Sequence, residues 1–159
     1  MESSPAGSLA IQLAKLSGFS PIITTASLKK GEVLKLYGAT HVLDHSLPQD
    51  ALVAQVSKIA GGPVSLVYDA ISLAKTQAVG YALLAPNGQL LTVLPSTIED
   101  TTEGRSVVAV VGVVQLPYNI ELSKVLLAQL PASLGSGKIR PLRVEVIPNG
   151  RGMITVSRE

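Results

Sequence analysis

The sequence predicts an α/β fold: a mostly parallel sheet covered by helices on both faces. Three observations carry that prediction. Short β-branched runs alternate with amphipathic stretches of helical period, and Gly or Pro-Gly breaks separate them. The composition, 47% hydrophobic against 15% charged, suits strands buried on both faces. Strands linked through helices need right-handed crossovers and parallel neighbours, which is the Rossmann-type, doubly wound arrangement.

Ala6, Leu9, Ala10, Leu13 and Ala14 repeat at helical spacing, so Pro5 to Leu16 reads as a helix with that stripe inward. Pro5 sits where a missing N–H costs nothing, Ser3 or Ser4 caps the turn, and Gly18 stops the helix. Pro21 to Thr25 follows as a strand. A helix from Leu28 to Tyr37 is expected to bury Val33, Leu34 and Tyr37 before Gly38 closes it. The cycle repeats with strand His41 to Asp44 and helix Gln49 to Ala60, whose apolar face is Leu52, Val53, Val56 and Ile59; Gly61-Gly62-Pro63 breaks it. A third cycle runs from strand Val64 to Tyr68 into a helix near Leu73 to Leu84. A turn at Pro86-Asn87-Gly88 leads to strand Gln89 to Leu94. Beyond Pro95 come a polar segment, an apolar strand Arg105 to Leu116, a helix Ile120 to Leu134, and short strands Arg143 to Ile147 and Met153 to Val156. With no internal repeat and no linker, residues 1–159 are expected to form one domain.

Composition narrows the function. The chain has no Cys, which excludes a disulfide scaffold, a thiolate zinc site and a cysteine nucleophile. The longest apolar stretch, Val107 to Val114, is too short to cross a bilayer, and the first residues lack a signal peptide's layout, so a cytoplasmic protein without a membrane partner is expected. A net charge of +2 with scattered basic residues and no Trp argues against nucleic acid as a partner.

In an open parallel sheet, ligands bind outside the carboxyl ends of the strands, where helix N-termini present unpaired N–H groups. Two loops meet that description. Ser3-Ser4-Pro5-Ala6-Gly7 is small enough to let backbone amides approach a pyrophosphate, or is a plain helix cap. Ala26 to Lys30 lies after the next strand, about 20 residues on, where an NAD-binding domain carries an acid for the ribose diol. No acid stands between Glu2 and Glu32. Ser27 and Lys30 offer instead a hydroxyl and a cation, which suit a 2′-phosphate, although a solvated helix start reads the same way.

At these residues a resemblance becomes visible. Ser3 through Gly18, Ile23-Thr24-Thr25-Ala26-Ser27 and Tyr37-Gly38-Ala39-Thr40-His41-Val42-Leu43-Asp44 resemble the cofactor domain of the medium-chain dehydrogenase/reductases. The branch most similar is that of zinc-independent quinone oxidoreductases and fungal enoyl reductases, including those acting in trans on polyketide synthases. The likeness runs from about residue 3 to 148 and is strongest before residue 95. It implies NADP(H) as cofactor, with the pyrophosphate near Ser3, Ser4, Ala6 and Gly7 and the 2′-phosphate near Ser27 and Lys30. His45 stands where the family often has a tyrosine on that phosphate; it is a partly charged donor or simply a surface histidine. Tyr68-Asp69-Ala70-Ile71-Ser72 matches the loop beside the cofactor's ribose, with Asp69 either at the ribose or capping the next helix. Val93-Leu94-Pro95 matches the loop near the nicotinamide. An enoyl or quinone-type substrate and a homodimer paired along the strand near Ser106 to Leu116 are implied as well. No catalytic residue and no metal ligand can be assigned.

Relative to that family, the GroES-like catalytic domain, the crossover helix and the strand before the glycine loop are expected to be missing, as is the last helix. On that expectation the chain is an NADP(H)-binding oxidoreductase domain, incomplete as an enzyme; the alternative is a non-catalytic nucleotide-binding or protein-interaction module. A methyltransferase-type domain would need an acid where Ser27 and Lys30 stand. The missing strand would be central. Its neighbours, at Ile22 and Leu66, are then expected to pair directly or to accept a substitute such as Met153 to Val156, because each buried unpaired backbone group costs about 1–3 kcal/mol.

Overall fold

A computed structural model describes residues 4–142; Ser3 and the strands expected at Arg143 to Ile147 and Met153 to Val156 lie outside them. The elements are α1 (Pro5–Leu16), β1 (Ile23–Ala26), a 3-10 turn (Leu28–Lys30), α2 (Gly31–Tyr37), β2 (His41–Asp44), α3 (Gln49–Ala60), β3 (Val64–Asp69), α4 (Ala74–Ala82), β4 (Leu84–Thr92), β5 (Ser106–Ala109), a second 3-10 turn (Pro117–Asn119) and α5 (Ile120–Gly135). Every strand pair is parallel: β1 with β2, β3 with β4, and β4 with β5. Alternation along the strands puts helices on both sides. Ala26 and Val42 join a cluster with Ile11 of α1 and Leu34 of α2. Their neighbours Ile23 and Leu43 join Leu52 and Val56 of α3 on the opposite face.

The described strands form two sheets, β1-β2 and β3-β4-β5. The direct pairing expected between the strands at Ile22 and Leu66 is thus not found. The substitute strand lies outside the described residues, and among those described packing spans the divide. Leu52 and Val56 of α3 meet Ile23 and Leu43 from one sheet and Val64, Val79 and Leu83 from the other side of the divide. On the remaining side α1 touches β3. The penalty for unpaired backbone is a penalty of burial, and Leu66, mid-strand in β3, is 38% exposed.

Local chemistry accounts for other departures. The inward face of α1 is Ser8, Ile11 and Gln12, while Leu9 and Leu13 of the expected stripe stay exposed; the partners of α1 among the described residues are β1, α2, β3 and the segment after α5 rather than one continuous sheet. Val33 is also exposed, and of the residues expected to be buried in α2 only Leu34 is fully so. The turn at Pro86-Asn87-Gly88 becomes a bulge within β4, whose register jumps from Leu84 opposite Val64 to Gln89 opposite Leu66. Asn87 takes φ 61° there, and Gly88 is required because a Cβ would stand 2.9 Å from Ala85 O. β5 ends at Ala109 rather than Leu116, since its partner β4 ends at Thr92. α4 lies close on its sheet through Gly80, where a Cβ would come within 2.9 Å of Leu90 Cδ1.

A buried polar network fixes the loops at the carboxyl ends of β3 and β4. Asp69 Oδ1 accepts from the amides of Ile71 (3.0 Å) and Ser72 (2.9 Å). Ser72, at φ 58°, donates its hydroxyl to Asp69 O (2.7 Å) and accepts from Val93 N (2.8 Å). Gln77, fully buried in α4, donates to Ser72 O (2.9 Å) and Pro95 O (3.0 Å) and accepts from Thr97 N (2.9 Å). Replacing Gln77 strands Ser72 O and the loop groups that it serves. Gln77→Leu is expected to lower unfolding stability by about 1–3 kcal/mol, the cost of leaving such groups unsatisfied. Urea titration checks this, and an unchanged midpoint contradicts it.

Candidate functional site

The carboxyl ends of the strands gather the expected residues into two groups. In the first, Ser4 caps α1: its Oγ accepts from Gly7 N at 3.0 Å, and its carbonyl accepts from Ser8 N at 3.0 Å. This is the first helical turn expected from Ser4, Pro5, Ala6 and Gly7, and Ser4 is the cap among the described residues. The turn abuts the loop after β3, since a Cβ on Gly7 would stand 3.6 Å from Ala70 Cβ and 3.4 Å from Ser4 Oγ. The N-terminus of α1, carrying about half a positive charge, therefore meets Asp69 to Ser72.

Asp69 does not cap the following helix: Leu73 is at that position, without a side-chain bond. Its carboxylate shapes the loop, using Oδ1 alone. Oδ2 is buried and has no hydrogen-bond partner among the described residues. Ser72 is committed to Asp69 and Val93. Leu94 and Pro95 are exposed, but their carbonyls are tied down by Thr92 Oγ1 (2.8 Å) and Gln77 Nε2 (3.0 Å). The side chains at this loop are thus displayed on a fixed backbone.

The second group stands at the ends of β1 and β2. Ser27 opens the 3-10 turn that ends at Lys30, and makes no side-chain cap bond. His45 is brought beside it by its amide, which donates to Ala26 O at 3.2 Å. The imidazole Nδ1 lies 3.6 Å from Asp44 Oδ1. Asp44 is held below the usual carboxylate range, first by the Ser46 amide and then by the Ser46 hydroxyl. Sequence reasoning singled out Ser72 but missed Gln77, Thr92 and Thr97. The available signal was spacing: Gln77 stands three residues before Gly80, on the inward face of α4.

Comparison with known proteins follows this geometry. A family profile described as zinc-binding dehydrogenase matches residues 5–94. A trans-enoyl reductase of Fusarium sp. (strain FN080326) is 33% identical over 106 residues, 67% of this chain and 29% of that protein. A trans-enoyl reductase of Alternaria alternata is 35% identical over 92 residues, 58% of this chain and 26% of that protein. The chain thus spans about a third or less of the length of these relatives. Among solved structures, the quinone oxidoreductase of Pseudomonas syringae pv. tomato superposes with a TM-score of 0.69 at 24% identity, covering 84% of this chain and 43% of that one. The mycobacterial protein Rv1454c, solved with NADPH, gives 0.71 at 23% identity, covering 86% and 45%. These likenesses establish the fold. Among the described residues no three His, Asp or Glu side chains gather as they would around a metal ion, and the sequence has no Cys. Matched over more than half its length, the chain belongs to the zinc-binding dehydrogenase family and corresponds to the cofactor-binding domain of the medium-chain dehydrogenase/reductase superfamily.

Proposed function

We propose that this chain is a single, cytoplasmic NADP(H)-binding domain of an oxidoreductase acting on an enoyl or quinone-type substrate. The observation that carries the reading is the seating of the capped N-terminus of α1, through Gly7, against Ala70. That arrangement suits a pyrophosphate: fixed amides, a positive helix end and no bulky side chain at the approach. Ser4, Ala6 and Gly7 would hold it, as would Ser3 from outside the described residues. Asp69 and Ser72 fix the loop that would lie beside the ribose, and Leu94 and Pro95 border the nicotinamide end. When bound, the dinucleotide supplies the hydride. The chain's own residues bind and orient. No acid or base is assigned, and turnover rests on groups beyond those named here.

Ser27, Lys30 and His45 select the phosphorylated cofactor, because a hydroxyl and the Lys30 cation recognise a 2′-phosphate, while the nearby carboxylate, Asp44, is engaged by Ser46 and His45. NADPH is expected to bind more tightly than NADH by calorimetry. Lys30→Ala should weaken NADPH by about 1–3 kcal/mol, the range for bonds to charged groups. Equal affinity for the two cofactors in the parent chain would reject the assignment.

The exposed apolar surface favours association. Val108, Val110, Val111, Val113 and Val114, on β5 and the segment after it, are each more than 40% exposed, and β5 is an edge strand. The reading includes a homodimer joined along Ser106 to Leu116. The same surface favours a second reading, a non-catalytic module that binds a nucleotide or acts through protein contacts; enoyl or quinone reduction, assayed with and without a catalytic partner domain, separates the two. Light scattering at tens of micromolar is expected to give a dimer that Val110→Lys dissociates. A monomeric parent, or a dimer indifferent to that substitution, contradicts the pairing.

A further inference from the structure

At the far end of α1 from the nucleotide crevice, the chain forms a half-open cavity of about 230 Å³ lined by Gln12, Lys15, Leu16, Leu36, Tyr37, Gly137, Lys138 and Arg140. The helix has 12 residues, which separates the two places by about 18 Å at 1.5 Å per residue. The cavity wall is tied down. Gln12 is 3% exposed and its amide closes a pair of bonds with one residue's backbone: Nε2 donates to Arg140 O at 3.2 Å, and Oε1 accepts from Arg140 N at 2.7 Å. Ile139, buried, donates its amide to Ser133 O at 3.0 Å. The stem of Lys15 crosses Gly38, where a Cβ would stand 2.6 Å from Lys15 Cδ, so glycine at φ 121° is what admits it.

Charge decides what such a place would hold. Lys15, Lys138 and Arg140 bring three cations, and no acid among the described residues lines the cavity. Glu32 of α2 is engaged with Lys35 at 3.4 Å. Lysines at helix C-termini often serve the helix dipole, but the ends of α1, α2 and α5 contribute only about half a negative charge each. About one and a half positive charges remain uncompensated by the described residues. Leu16 and Leu36 add exposed apolar surface beside them.

We propose that this cavity is an anion site, separate from the nucleotide crevice, for a small phosphate monoester: a dianionic head against Lys15, Lys138 and Arg140, and a short apolar body against Leu16 and Leu36. A guanidinium offers the fork that pairs two phosphate oxygens at once, with the ammonium groups as point charges. The volume lies below the range of about 300–1,000 Å³ usual for larger ligands, which confines the occupant to a few heavy atoms beyond the phosphate.

The test is a titration of the full chain with inorganic phosphate and with phenyl phosphate, at ionic strength held constant with sodium chloride and read by amide chemical shifts. Saturable shifts are expected at Lys15, Gly137, Lys138 and Arg140, with phenyl phosphate tighter than phosphate. The double variant Lys138→Gln, Arg140→Gln is expected to lose about tenfold or more in affinity. It leaves the Gln12 clamp intact, because that clamp uses the backbone of Arg140, and unchanged shifts elsewhere verify the fold. Shifts that never saturate, that persist in the double variant, or that appear only at Ser4 to Gly7 overturn the proposal.

Discussion

The arrangement on which the rest of the structure depends is the buried set of bonds from Asp69 through Ser72 to Gln77. It joins the end of β3, the start of α4 and the segment after β4 by side chains that are almost wholly out of water. Ser72 sits at φ 58°, a conformation that costs a non-glycine residue free energy. The Asp69 carboxylate and the Val93 amide hold it there. Bonds of this kind contribute modestly when made, but leaving a buried partner unmade is expensive. The network therefore acts more as a constraint than as a source of stability. It forces the loops beside the N-terminus of α1 into one geometry, and that geometry is what a rigid, extended ligand needs.

The second constraint is the divided sheet. With β1-β2 and β3-β4-β5 unjoined by backbone bonds, α3 carries the connection on one face, through Leu52 and Val56, and α1 contributes on the other. Side-chain packing is non-directional, so it holds the two halves together without setting the distance between them as a ladder would. The cost appears at the surface. Leu9, Leu13 and Leu16 along α1 and Leu122, Val125 and Leu127 along α5 stay exposed, in a chain whose composition is that of a sheet protein buried on both faces.

Much of the fold was legible because its signals are local. Pro5 and Ser4 start α1, Gly38 and Gly61 end α2 and α3, and the observed bounds of α1, β2 and α3 are the ones their patterns indicate. Periodicity is weaker on burial, since it finds an apolar face but not the surface available to receive it. Hence the stripe of α1 points elsewhere, and Val33 is exposed. The bulge at Asn87 and the end of β5 depend on pairing partners distant in sequence, which no window of ten residues contains. At the site, the loops were readable from their small and polar residues. Gln77 was not, because a buried glutamine that serves two carbonyls looks in sequence like any helical surface residue. The pairing of Gln12 with Arg140, 128 positions apart, was equally out of reach.

The central claim is that the loops at the carboxyl ends of β3 and β4 are a prebuilt, rigid platform. Native-state hydrogen exchange at the amides of Ser72, Val93 and Thr97 tests it most directly. These lie at strand ends and in loops, where exchange by local opening is ordinarily fast. If the network holds the platform, they exchange as slowly as the amide of Leu90 inside β4. Exchange as fast as that of an exposed loop amide such as Asp100 would show that the platform opens freely, and would contradict the account.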